Sequence, residues 1–193
     1  MSSDKQFIKH LSAWVDPTAK VRGGTVIEEG AWVGASVVIE EDVTLGIFAV
    51  IDEGVQVGRG ALLHDGAMLR SRAKIGAGAI IGECAEVGPG VLVGMGCRIG
   101  DGASLAIGAR VGSSVTLGDM ARVGQAAQLE DCVRVEKNAV IGERARIGKG
   151  AVIREGATVG NDAEIGEAAL VKAGAEIPAG ARVSAGAERL EEN

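Results

Sequence analysis

The sequence predicts an all-β solenoid, in which short parallel strands wind around one hydrophobic core. Three regularities carry that prediction. An aliphatic residue recurs every six positions from Val15 to Val183, 29 times in succession, and each is Val, Ile or Leu. Two positions before each aliphatic the side chain is small: Ala in 21 cases, Val in six, with Thr25 and Cys97 completing the series. The residue just after the aliphatic is Gly in 15 of 29 cases, Gly76, Gly82, Gly88, Gly94 and Gly100 among them. A period of six fits neither a 3.6-residue helix nor long strands between hairpin turns. It fits a short strand and a corner, repeated.

Within each strand, residues two apart face the same side, so the aliphatic and the preceding small residue both point inward. The Gly after the strand is expected to supply the positive φ that a tight corner needs. Three sides then close a triangular coil of 18 residues, about ten coils in all, paired through parallel hydrogen bonds at roughly 4.8 Å spacing. Composition agrees. Aromatic residues are 2% of the chain, yet 47% is hydrophobic, which argues against disorder and for a core of short aliphatic side chains.

The pattern of an aliphatic followed by Gly, with a small residue two places earlier, resembles the hexapeptide-repeat superfamily. So do the entry segment Ala13 to Val21, AWVDPTAKV, and the exit segment Ala175 to Val183, AEIPAGARV. The resemblance covers residues 13–184 and implies a left-handed parallel β-helix; the periodicity alone does not give the hand. It implies trimeric acyltransferases using coenzyme A or acyl carrier protein, metal-dependent carbonic anhydrases, or non-catalytic scaffolds.

Three segments are expected: an N-terminal helical cap over 1–12, the β-helix over 13–184, and a polar tail over 185–193. Phe7, Ile8 and Leu11 lie at helical spacing and are expected to plug the first coil. In the tail only Leu190 is large and apolar.

The residue before each aliphatic points outward, and the 18-residue coil sorts these positions into faces. One face begins Trp14, Trp32, Val50, Met68; the preceding one begins Val26, Thr44, Leu62, Ile80. The corner joining them carries Ile47 and Phe48. A clustered apolar surface with two Trp marks an interface, here expected for Trp14, Trp32, Val50, Met68, Val26, Leu62, Ile80, Ile47 and Phe48. A homo-oligomer joined through the N-terminal coils follows, and the resemblance favours a trimer. The outward Arg at 98, 110, 122, 134 and 146 recur every 12 residues, so they spiral around the rod and form no basic track.

Candidate chemistry is sparse. With only His10 and His64, and His10 placed before the solenoid, the three-His zinc site of the family's carbonic anhydrases is not expected, and no metal is assigned. The resemblance implies a His as general base in the acyltransferases, and His64 occupies a corner where the residues 18 before and after are Gly46 and Gly82. Asp65 or Glu83 would orient its ring. Cys97 reads as core, and Cys84 and Cys132, 48 residues apart, fall on different corners. No cofactor is expected; under the acyltransferase reading a coenzyme A thioester is the substrate.

A net charge of −6 and pI near 5.1 exclude nonspecific nucleic-acid binding. No stretch reaches the roughly 18 apolar residues of a membrane span, no signal peptide is evident, and three Cys without CxxC spacing fit a cytoplasmic protein. Family acyltransferases usually interrupt the solenoid with a loop, and this chain has none. The reading placed first is therefore a non-catalytic, self-associating scaffold. The alternative is an acyltransferase acting on a small amine or hydroxyl at an intersubunit cleft, with His64 as base.

Overall fold

A computed structural model of the chain describes residues 6–189, the last by its backbone alone. Thirty-one two-residue strands follow one another every six residues, from β1 (Ile8–Lys9) to β31 (Glu188–Arg189). Every third strand joins the same sheet, which gives three parallel sheets of 11, 10 and 10 strands. The first sheet starts with β1, the second with β2 (Trp14–Val15) and the third with β3 (Lys20–Val21). Strands pair with the residue 18 further on, as Leu62 with Ile80 and Leu63 with Ile81. No described residue is helical, and the three-sided solenoid of about ten coils is consistent with the left-handed β-helix expected. Among the described residues no helix is long and apolar enough to cross a membrane.

The interior follows the hexad as read. From Ile27 to Val183 every aliphatic of the series is buried, and the small residues before them fill the space towards the corners. Each buried Val, Leu or Ile side chain contributes about 1.5–3 kcal/mol relative to exposure. Backbone groups are satisfied from coil to coil: the Leu62 N–H donates to the Ala79 carbonyl at 2.9 Å, and the His64 N–H to that of Ile81 at 2.9 Å. The one buried polar side chain among the described residues, Thr25, donates its hydroxyl to the Glu40 carbonyl at 3.2 Å.

Two expectations need correction. The glycines directly after the aliphatics do not take the left-handed conformation. That falls on the residue three after the aliphatic, at every corner from Gly24 to Gly186, whether Gly (Gly66, φ 65°) or not (Phe48, φ 55°; Cys84, φ 52°). The glycine after the aliphatic answers to a different constraint, the closeness of the next coil. A Cβ on Gly76 would fall 2.5 Å from the Gly94 carbonyl carbon, and one on Gly100 would fall 2.6 Å from the Asp119 nitrogen.

The second correction concerns the ends. The helical cap expected over 1–12 is, where it is described, a further stretch of solenoid: Ile8–Lys9 pairs in parallel with Val26–Ile27. Residues 1–5 lie outside the described residues. Phe7, Ile8 and Leu11 are exposed and plug nothing. The helical spacing of these three also satisfies the hexad register, and Lys9, standing where an aliphatic belongs, hides it. At the other end β31 carries the solenoid to Arg189, into the segment expected as tail; Leu190 lies outside the described residues.

Candidate functional site

The corner between the first and second sheets gathers most of the residues singled out above. Ordered along the rod, its position after the aliphatic runs His10, Glu28, Gly46, His64, Gly82, and the next runs Leu11, Glu29, Ile47, Asp65, Glu83. The two His of the chain thus share one column, three coils apart, and His10 sits in the first coil instead of ahead of the solenoid. Its Nδ1 lies 2.8 Å from Ser12 Oγ, which accepts the Gly30 N–H at 3.0 Å.

His64 is half-buried, flanked above and below by Gly46 and Gly82. Gly46 is needed there: a Cβ on it would fall 2.7 Å from the His64 carbonyl carbon. Among the described residues no protein group hydrogen-bonds the His64 ring. The carboxylate nearest in sequence is engaged elsewhere, since Asp65 Oδ1 accepts the Ile47 N–H at 2.9 Å. The Glu83 N–H donates to Asp101 Oδ1 at 2.8 Å, and Asp101 in turn donates its N–H to Asp119 Oδ1 at 3.1 Å. These acids tie successive corners together and do not orient the imidazole.

The apolar surface is assembled by register. Trp14, Trp32, Val50 and Met68 stack in consecutive strands of the second sheet. Val26, Thr44, Leu62 and Ile80 do so in the first. Trp14 is 54% exposed, Trp32 40% and Phe48 63%, with Ile47 exposed between the columns. Phe48 folds back over Gly30, where a Cβ would collide with its ring. Val26, Val50, Leu62, Met68 and Ile80 are half-buried among these neighbours.

Two residues of this surface escape a reading of the first segment as helix. Ile8, 67% exposed, heads the first-sheet column, and Leu11, 97% exposed, heads the corner. The hexad register extended back past Lys9 is the signal that finds them. Beyond Met68 the second-sheet column passes to Glu86, which accepts from Arg70 Nε at 2.7 Å, and beyond Ile80 the first passes to Arg98.

Elsewhere the exposed large apolar residues, Leu92, Met95, Ile107 and Met120, are separate from this patch. The third sheet bears a shallow groove of about 530 Å³ at its C-terminal end, lined by Gln128, Glu130, Arg146, Glu164, Arg182 and Ser184 among others. Arg182 Nε reaches Glu164 at 3.0 Å and Arg146 reaches it at 3.7 Å, so these charges largely neutralise one another. The spaced Arg behave as read: Arg98 and Arg134 lie on the first sheet with Thr116 between them, while Arg110 and Arg146 lie on the third around Gln128.

Cys97 is buried, and its thiol donates to the Gly112 carbonyl at 2.9 Å; burial pushes its pKa up. Cys84 and Cys132 are exposed on different corners. Among the described residues no three His, Cys, Asp or Glu side chains group as a metal site.

Two family profiles match the chain, Bacterial transferase hexapeptide (six repeats) over residues 126–161 and Hexapeptide repeat of succinyl-transferase over 36–71. No curated protein matches it. Solved structures with similarity include the UDP-N-acetylglucosamine acyltransferase of Francisella novicida, 19% identical, over 92% of this chain and 67% of that one, with a TM-score of 0.45. The Arabidopsis UDP-N-acetylglucosamine acyltransferase is 20% identical over 94% and 72%, at 0.40. The acetyltransferase domain of PglB from Neisseria gonorrhoeae is 19% identical over 91% and 56%, at 0.35. Likeness at this level carries no information about substrate.

Proposed function

We propose that this chain, two stretches of which match hexapeptide-repeat profiles, is an acyltransferase whose site is completed when copies associate through their apolar N-terminal faces. The donor is a coenzyme A or acyl-carrier thioester, and the acceptor a small amine or hydroxyl. In the step itself His64 takes the acceptor's proton as its nitrogen or oxygen attacks the thioester carbonyl carbon. The carbon–sulfur bond breaks and the thiol leaves, protonated in turn. The descriptions of the two matched repeats, both of transferases, favour this over the scaffold placed first from the sequence.

The observation that carries the proposal is the seat of His64. Its half-buried ring has no protein partner among the described residues, and it stands one coil from Ile47 and Phe48. An imidazole without an internal partner is free to exchange a proton with a bound molecule, and a second copy seated on the corner would exclude water from it. Three copies around a threefold axis suit a contact surface that spans two sides of a triangular rod. A reducing compartment, the cytoplasm, suits three unpaired cysteines.

The test is acetyl-CoA turnover against a panel of small amines and alcohols, read by mass spectrometry, alongside thioester binding by calorimetry. His64→Ala is expected to lower turnover by about 100-fold or more while binding persists. No thioester binding, or turnover indifferent to His64→Ala, overturns the reading. A second reading, self-association without catalysis, draws on a specific observation: strands follow every six residues from Ile8 to Arg189 with no loop between them, and Asp65 Oδ1 accepts the Ile47 N–H.

A further inference from the structure

One side of the middle coils carries cations and apolar side chains with no acid among them. The third sheet and its two flanking corners take three segments here, residues 70–78, 88–96 and 106–114. They hold Arg70, Arg72, Lys74 and Arg110 and no carboxylate, in a chain of net charge −6. Arg70 is engaged with Glu86 of the second sheet at 2.7 Å. Arg72, Lys74 and Arg110 are exposed and make no ion pair among the described residues. Among these cations stands Leu92, 37% exposed, on the sheet, with Met95, 62%, and Ile107, 51%, at its two corners. Register aligns Lys74, Leu92 and Arg110 in consecutive strands of the sheet, β12 (Lys74–Ile75), β15 (Leu92–Val93) and β18 (Arg110–Val111), about 4.8 Å apart. The corner residues between them, such as Gly78, Pro89, Gly90 and Gly96, are too small to shield the apolar side chains.

What this face fits follows from its shape and charge. Each of the three strands is paired on both edges, so no extended peptide can add to them as a further strand. The groove of the third sheet, where a helix could lie, is further along the rod, from Gln128 on. The three segments contain no aromatic residue, so nucleic-acid bases would have nothing to stack on. A flat surface with cations around three apolar side chains matches the headgroup region of a bilayer rich in anionic lipid. The cations attract the phosphates, and the apolar tips enter beneath them. The opposite edge of the same coils sets the orientation. The corner between the first and second sheets carries exposed Glu83, Asp101 and Asp119, so the rod is polarised across its width. That acidic edge is turned away from such a surface. Association through the first two sheets would leave the third uncovered.

We propose that the middle of the third sheet is a docking surface for an anionic phospholipid bilayer. The proposal is independent of any catalytic role. It is tested on the full chain by flotation with vesicles of phosphatidylcholine containing phosphatidylglycerol, and with vesicles of phosphatidylcholine alone. Binding is expected on the first, weakening steeply with added salt, and is expected to be absent on the second. Arg72→Ser with Lys74→Ser and Arg110→Ser is expected to lower vesicle partition about 100-fold, on the order of 5-fold for each cation. Arg98→Ser with Arg122→Ser and Arg134→Ser removes the same charge from the other two sheets and is expected to leave partition within about twofold. Leu92→Ser with Met95→Ser and Ile107→Ser is expected to lower it about 10-fold or more while its salt dependence persists. If the first triple variant loses its β circular dichroism, Lys74→Gln alone takes its place, with partition expected at about a fifth of the native value. No binding to the phosphatidylglycerol vesicles, an equal loss in both charge-removing triple variants, or binding to polyglutamate or duplex DNA in place of vesicles would each overturn the proposal.

Discussion

On the first two sheets the outward columns run Ile8, Val26, Thr44, Leu62, Ile80 and Trp14, Trp32, Val50, Met68 through the N-terminal coils. Further along the same columns stand Arg98, Thr116 and Arg134, and Glu86, Ser104 and Arg122, before single apolar residues return at Val152, Leu170 and Val140. Surface ion pairs occur in both regions, such as Arg22 with Glu40 at 3.0 Å and Arg144 with Asp162 at 2.7 Å, and do not distinguish them. The interior keeps the same alternation of small and aliphatic side chains in both regions. Inward positions answer to the coil, which tolerates only small and aliphatic side chains. Outward positions are free of it, so their composition records what the rod must touch.

The sharpest way to break this comparison is through the core. Leu63→Ala in the apolar half and Ile153→Ala in the polar half are each expected to cost about 2–5 kcal/mol, with similar values, in urea unfolding followed by circular dichroism. A large disparity would mean that the interiors differ after all. Next in size is the outer surface. Trp14→Ser with Trp32→Ser is expected to leave the fold intact and weaken self-association about 30-fold or more, measured by sedimentation equilibrium. Arg122→Ser with Arg134→Ser is expected to leave association unchanged, and an equal effect would erase the contrast between the halves.

A smaller effect separates inward from outward cysteines. Native protein exposed to iodoacetamide at neutral pH is expected to take up label at Cys84 and Cys132 only. Cys97, buried and with its thiol pKa raised, should react only in denaturant, as intact-mass measurement will show. The smallest is electrostatic. The Arg144 guanidinium, hydrogen-bonded to Asp162, holds that carboxyl below its ordinary 3.8. Its contribution is therefore full above that pH and is lost as the pH falls through the lowered value. Asp162→Asn should lower the melting temperature slightly at pH 7, and the gap from the native protein should close on acidification.

Much of the molecule was readable before any coordinates. Val15 to Val183 at intervals of six gave the three sides, the coil length and the inward face, and alternation then placed Trp14, Trp32 and Met68 outside. What failed did so for identifiable reasons. Lys9 breaks the aliphatic series at the very position where its first member belongs, so the spacing of Ile8 and Leu11 reads as helical. Glycines one and three residues after the aliphatic are equally common here, and sequence cannot tell which relieves a clash with the next coil and which takes the left-handed turn. The surroundings of His64 were half legible: its corner and glycine neighbours follow from counting. That Asp65 would accept the Ile47 N–H instead of facing the imidazole depends on a side-chain rotamer, which periodicity does not encode.

Strict pairing at a separation of 18 residues also governs how such a chain can change in length. Removing residues 112–129, one full turn, would shorten the rod by a coil and return every later residue to its own side. Removing six would preserve the aliphatic series just as well, yet turn everything downstream by one side of the triangle. The second-sheet column of Trp14, Trp32, Glu86 and Ser104 would then no longer continue into Val140, Thr158 and Glu176. Viable length variants of this protein are thus quantised by surface alignment, in steps three times coarser than the core alone demands.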